Sequence, residues 1–176
     1  MSSFLVLFQS FFSLCLFRAR PQDFPAATIL LFVCLFLYTL ASSVLAYPGQ
    51  SILTALLAGV TETVLLLLIT YVLLTLRKLP ERWMQTAIAL TGSGFIFSVM
   101  VIPLLYWRVL YTDPASPSSI FGIFVLALLI WNIGVMAHIL RHALASSFAV
   151  GVIVALGYVW LITNVILLIT PVQGNS

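Results

Sequence analysis

The chain has 176 residues, 63% of them hydrophobic and 6% charged, with a mean hydropathy of +1.24. A soluble domain carries roughly 25% charged residues, so an aqueous globule is excluded, and residues 1–176 read as one domain embedded in lipid. The net charge of +3 is small and scattered, which argues against nucleic acid as a partner and fits a topology signal instead.

Residues 1–17 begin with an apolar run, Phe4 to Phe17, that is too short to span a bilayer. Ser2, Gln9, Ser13 and Arg20 recur at helical spacing, which predicts an amphipathic interfacial helix with its aromatic side in the acyl chains. The alternative is a hydrophobic N-terminus packed on the bundle. No basic residue precedes the run, so it does not read as a secretory signal. Arg18-Ala19-Arg20-Pro21 through Phe24-Pro25 is a connector, because proline ends what precedes it and is tolerated at the start of the next helix.

Five transmembrane helices follow, giving an all-α integral membrane fold. The spans are Ala26 to Tyr47, Ile52 to Leu76, Met84 to Tyr106, Ile120 to Leu140 and Ser146 to Thr170. Tyr47-Pro48-Gly49-Gln50 is the first turn, and Arg77-Lys78-Leu79-Pro80-Glu81-Arg82 the second. Pro103 is expected to bend the third span, the stretch Thr112 to Ser119 is a loop, and His138 to His142 is a tight basic turn. Cys15 and Cys34 fall in apolar segments and read as packing residues. Under this assignment Arg18, Arg20, Arg77, Lys78, Arg82 and Arg141 share one side, and only Arg108 lies on the other, near Asp113. The positive-inside rule then predicts a cytoplasmic N-terminus and an external C-terminus in an inner membrane.

The feature that asks for an explanation is Glu62, between Thr61 and Thr63 near the midpoint of the second span. A charge at that depth costs at least ~3 kcal/mol, so an intramembrane acid is by default a functional candidate. Ala55, Ala58 and Gly59 share its helical face, and small residues mark close helix approach, so Glu62 should point into the bundle. Similar stripes occur at Ala87, Thr91, Gly94 and Ser98, and at Ser147, Gly151 and Ala155. Ser42, Ser43 and Asn164 fall near the depth of Glu62, while Asn132 falls level with Thr91 and Ser93, which suggests two polar layers. Three roles are open for Glu62. It is a desolvated, protonated acid bonded to a serine or asparagine of a neighbouring helix, a group that moves protons or cations, or a contact with a partner subunit or lipid. No second ionisable group accompanies it inside the membrane, so it is a site and not a path.

His138 and His142 share a helical face at the membrane edge. A metal needs further ligands, and a bis-histidine haem needs histidines from two helices. No metal or cofactor is therefore expected, and the pair reads as interfacial histidines beside Arg141 facing water or lipid phosphate. Gly92-Ser93-Gly94 differs from the Gly-x-Ser-Gly nucleophile motif of rhomboid-type proteases, since Thr91 stands at its first position and no deep histidine is available as base. No other catalytic motif is present, and no enzyme is expected.

A short apolar N-terminal segment, a basic-proline connector (Arg18-Ala19-Arg20-Pro21 with Phe24-Pro25) and five closely spaced spans resemble small prokaryotic members of the Yip1 family. The resemblance covers the architecture of the whole chain and implies the same topology, N-terminus cytoplasmic and C-terminus outside. It also implies partner membrane proteins. Gly157-Tyr158 matches the glycine–tyrosine motifs of eukaryotic members in composition but lies in the fifth span, so no site residue carries over. The expectation is a non-catalytic scaffold or accessory subunit that contacts membrane lipids and a membrane-protein partner or a second copy of itself. The alternative is a small proton- or cation-coupled transporter or channel centred on Glu62.

Overall fold

In hydrocarbon every backbone N–H and C=O must be satisfied within the segment, so apolar runs of this length fold as helices. A computed structural model describes residues 3–111 and 119–169, with side chains for 9–109 and 121–169. It contains α1 (Ser3–Cys15), α2 (Thr28–Ala46), α3 (Ile52–Leu76), α4 (Trp83–Tyr111), α5 (Ser119–Ala143) and α6 (Phe148–Ile169). Helices α2 to α6 are long and apolar enough to cross a membrane. Ser2, the loop over 112–118 and the tail from Thr170 lie outside the described residues.

Local chemistry sets the helix ends. Ser51 opens α3 by accepting the Thr54 N–H at 3.1 Å, an N-cap bond. Pro80 starts a 3-10 turn, Pro80–Arg82, that leads into α4. Helix α4 continues unbroken through Pro103 to Tyr111, beyond the Tyr106 end expected from sequence. The Arg108 guanidinium lies 5.2 Å from the Phe121 ring centre, so its last turns pack on the start of α5.

Three helices close in the same unusual way. Arg18 N–H reaches Ser13 C=O and Phe17 N–H reaches Leu14 C=O, with equivalent pairs from Leu79 to Leu74 and Lys78 to Thr75, and from Ser146 to Arg141 and Ala145 to His142. These paired bonds are the Schellman closure, which needs a left-handed residue and usually employs glycine. Here Phe17 (φ 62°), Lys78 (φ 59°) and Ala145 (φ 49°) hold it. A left-handed L-residue costs roughly 1–2 kcal/mol, partly offset in a glycine variant by the greater freedom of the unfolded chain. Ala145→Gly is therefore expected to stabilise the fold by about 0.5–1 kcal/mol, measurable as a higher unfolding midpoint in detergent.

Helix α4 is the centre of the bundle, with every residue from Thr86 to Ser93 buried. Contacts of α3 with α4, α4 with α5, α5 with α6 and α6 with α3 form a four-helix ring, and α2 packs into the groove between α3 and α4. Glycine sets two of these approaches. A Cβ on Gly59 would collide with Ser43 Oγ and lie 2.8 Å from Ser43 N and Thr39 O of α2. One on Gly151 would collide with the Ala137 carbonyl of α5.

Helix α1 docks on this frame. Leu14 and Cys15 are buried, the Phe11 ring fills the space beside Gly92, and Trp131 Nε1–H donates to the Cys15 carbonyl at 2.9 Å. Burial pushes the Cys15 thiol up to about 11, which makes it a poor nucleophile. The helix ends at Cys15, so Arg20 does not share its face as the spacing had suggested. Its exposed residues include Phe12 as well as Gln9, and Leu16 just past its end is exposed too. The expected division into a polar and an aromatic face does not appear among the described side chains.

The connector, the Arg77–Arg82 loop and the α5–α6 turn meet at one end of the bundle. The His142 carbonyl accepts from Gln22 Nε2 at 3.0 Å and from Arg82 Nη1 at 3.3 Å, and Gln85 Nε2 donates to the Phe24 carbonyl at 3.1 Å. Arg18, Arg20, Arg77, Lys78, Arg82 and Arg141 thus gather at that end.

Candidate functional site

Glu62 points into the bundle. Its small-residue face is buried as expected at Ala55, Ala58 and Gly59, with Gly59 against α2. Tyr38 Oη donates to Glu62 Oε1 at 2.7 Å, and the Ser42 hydroxyl lies close enough to donate to the same carboxyl. One residue on, Thr39 and Thr63 share a hydrogen bond of 2.8 Å, Thr63 donates to Gly59 C=O, and Ser43 donates to Thr39 C=O. These short bonds exist because Gly59 lets the two backbones approach.

The carboxyl borders a cavity of about 310 Å³ inside the ring. Tyr38 of α2, Glu62 of α3, Ser93 and Ser98 of α4, Asn132 of α5 and Tyr158 of α6 supply its polar lining, and Leu66, Phe97 and Met136 are among its apolar walls. The cavity runs from mid-bundle toward Leu45, Val101 and Val125, away from the basic end. On the basic side, Leu66, Leu73, Leu90, Met136 and Leu140 leave a gap of only about 10 Å³. The Tyr158 hydroxyl is buried without a hydrogen bond of good geometry, yet it is near enough to Tyr38 and Glu62 to interact electrostatically with both.

The structure sorts the sequence candidates. Ser42 joins Glu62 directly, and Asn132 shares its cavity, so the two expected polar layers merge into one site. Ser43 serves the α2–α3 seam instead. Asn164 does not reach Glu62. It is exposed on the outer face of α6 and bonds back to the Trp160 carbonyl at 2.7 Å, because its helical position faces away from Tyr158. Ser93 donates to the Leu90 carbonyl at 3.2 Å and has no histidine beside it in the cavity lining. His138 and His142 stack edge to face at the basic end with ring centres 4.8 Å apart, and no metal-holding cluster occurs among the described residues.

Sequence reasoning missed Tyr38 and Tyr158. The signal was available, because tyrosines in membrane helices favour the two interfaces, whereas these two lie mid-span. No family model, curated protein or solved structure matches the chain.

Proposed function

We propose that the protein is a small non-catalytic carrier or channel in which a proton or a cation engages Glu62 from the central cavity. The observation that carries this reading is the 310 Å³ space bordered by the carboxyl, Tyr38, Tyr158 and Asn132. A buried acid held by a hydroxyl donor, with open space before it, can exchange a proton or meet a cationic group. On the positive-inside rule the arginine-rich end is cytoplasmic, so the cavity leans toward the external side of an inner membrane.

The test is flux in proteoliposomes carrying a pH-sensitive dye, under imposed proton, Na⁺ and K⁺ gradients. Wild-type vesicles are expected to dissipate at least one gradient well above empty vesicles. Glu62→Gln retains hydrogen bonding but cannot exchange a proton, and is expected to lose at least tenfold of that flux while its unfolding midpoint stays close to wild type. Wild-type vesicles as tight as empty ones to all three ions would refute the reading.

A second reading, a scaffold or accessory subunit, is favoured by one observation. Helix α6 presents Thr163 and Asn164 outward beside Trp160, with open space at Gly157. Polar groups at that depth face lipid unless another helix covers them. The Yip1-like architecture supports this reading too. Recovery of a lone monomer in mild detergent would count against it.

A further inference from the structure

Phe17, Arg18, Ala19 and Arg20 of the connector and His138, Arg141 and His142 of α5 enclose a second concavity, of about 210 Å³, at the basic end. It is built rather than incidental. The left-handed turn at Phe17 swings the connector back over α5. There His138 Nε2 bonds the Ala19 carbonyl at 3.0 Å; a carbonyl only accepts, so this nitrogen carries the hydrogen. The Phe17 ring stands edge-on to His138 with centres 5.4 Å apart. Arg141 Nε donates to His142 Nε2 at 3.3 Å, and the guanidinium lies 5.7 Å from the Phe148 ring centre, which fixes its plane.

The charge in this concavity is unbalanced. Three arginines line it and no carboxylate does, among the described residues. Asp23 is the nearby acid, and its Oδ2 already accepts the Arg20 backbone N–H at 2.7 Å. Arginine forks match phosphate oxygens, and basic pockets between helices at the cytoplasmic edge suit anionic head groups. The apolar surroundings distinguish a lipid from a free anion. Phe12, Leu16 and Phe17 are all at least 38% exposed on the segment that forms the rim, where an acyl chain would run.

We infer that the Arg18–Arg20–Arg141 concavity binds the phosphate of an anionic phospholipid, with the exposed face around Phe12, Leu16 and Phe17 receiving its acyl chain. This site is separate from the Glu62 cavity and does not depend on the carrier reading.

The experiment titrates the full-length protein in neutral detergent with short-chain phosphatidylglycerol or phosphatidylcholine, followed by tryptophan fluorescence and unfolding midpoint. A parallel arm uses inorganic phosphate. Phosphatidylglycerol is expected to bind at least fivefold more tightly than phosphatidylcholine. Each arginine near a membrane surface is worth about fivefold, so Arg18→Gln should weaken it by about that factor and Arg18→Gln with Arg141→Gln by more than tenfold. Arg77→Gln with Lys78→Gln removes the same charge outside the concavity and should cost less than twofold. The Arg18 side chain is exposed, and only its backbone N–H closes α1, so its single variant reports even if the Arg141 variant fails to fold. Equal losses from the inside and outside pairs would overturn the proposal in favour of diffuse surface charge. Equal protection by millimolar inorganic phosphate would overturn it in favour of a free-anion site, and no preference over phosphatidylcholine would overturn it outright.

Discussion

Gly59→Val is expected to lower the stability of the fold by about 2–3 kcal/mol, the upper part of the range for overpacking. The added Cβ meets not only Ser43 Oγ, which can rotate away, but also Ser43 N and Thr39 O, both 2.8 Å distant. Those are backbone atoms of α2, so relief requires the two helices to part. Parting them would lengthen the Thr39–Thr63 and Tyr38–Glu62 bonds together. Ser43→Ala in the Gly59→Val background should therefore rescue only part of the loss. Gly157→Ala is the matching control, because a Cβ there meets nothing within 4 Å, and its effect should stay within about 0.5 kcal/mol of wild type or favour the helix. Unfolding in mixed micelles reads all three variants.

The second large effect concerns Glu62 itself. Glu62→Ala removes the acceptor of the Tyr38 hydroxyl and leaves that buried donor without it, a loss of about 1–3 kcal/mol. Glu62→Gln keeps an acceptor oxygen in place and should lose less than about 1 kcal/mol. A double-mutant cycle of Tyr38→Phe with Glu62→Ala isolates the bond, and interhelical hydrogen bonds in membranes couple by about 0.6 kcal/mol on average and up to about 1.7. A coupling near zero would mean that the unfolded chain in micelles satisfies the same groups equally well. Ser42→Ala with Glu62→Ala, measured beside it, would show how the carboxyl divides between its two donors.

The five spans were legible because a lipid-facing helix writes its length directly into hydropathy, and the gathering of arginines followed from charge placement alone. Helix ends were less legible. The extension of α4 beyond Tyr106 depends on Arg108 meeting Phe121, a contact between residues on different helices. The rotation of each helix was the least accessible property. In α2 to α6 most positions are apolar on every side, so little periodicity tells the inward from the outward face. Small residues stood in for that signal where present. They aimed Glu62 correctly through Ala55, Ala58 and Gly59, whereas Asn164 was assigned by depth alone, although the stripe of Gly151 and Ala155 on its own span lies on roughly the opposite face. Tyr38 entered the site through its mid-span position, which a count of charged and amide side chains passes over.

The convergence on the His142 carbonyl bears on how the cavity could change shape. Gln22 and Arg82 both anchor the end of α5 there, which makes that corner a fulcrum. Helix α5 has 25 residues and is therefore about 37 Å long. A tilt of about 5° about the anchored end displaces the far end by about 3 Å, a lever arm fixed by the helical rise. Along α5 the excursion is larger at Val125, which lines the cavity, than at Met136 and Leu140 near the anchored end. A small tilt of α5 about that corner would thus reshape the space around the acid more at its Val125 end than at its Met136 end.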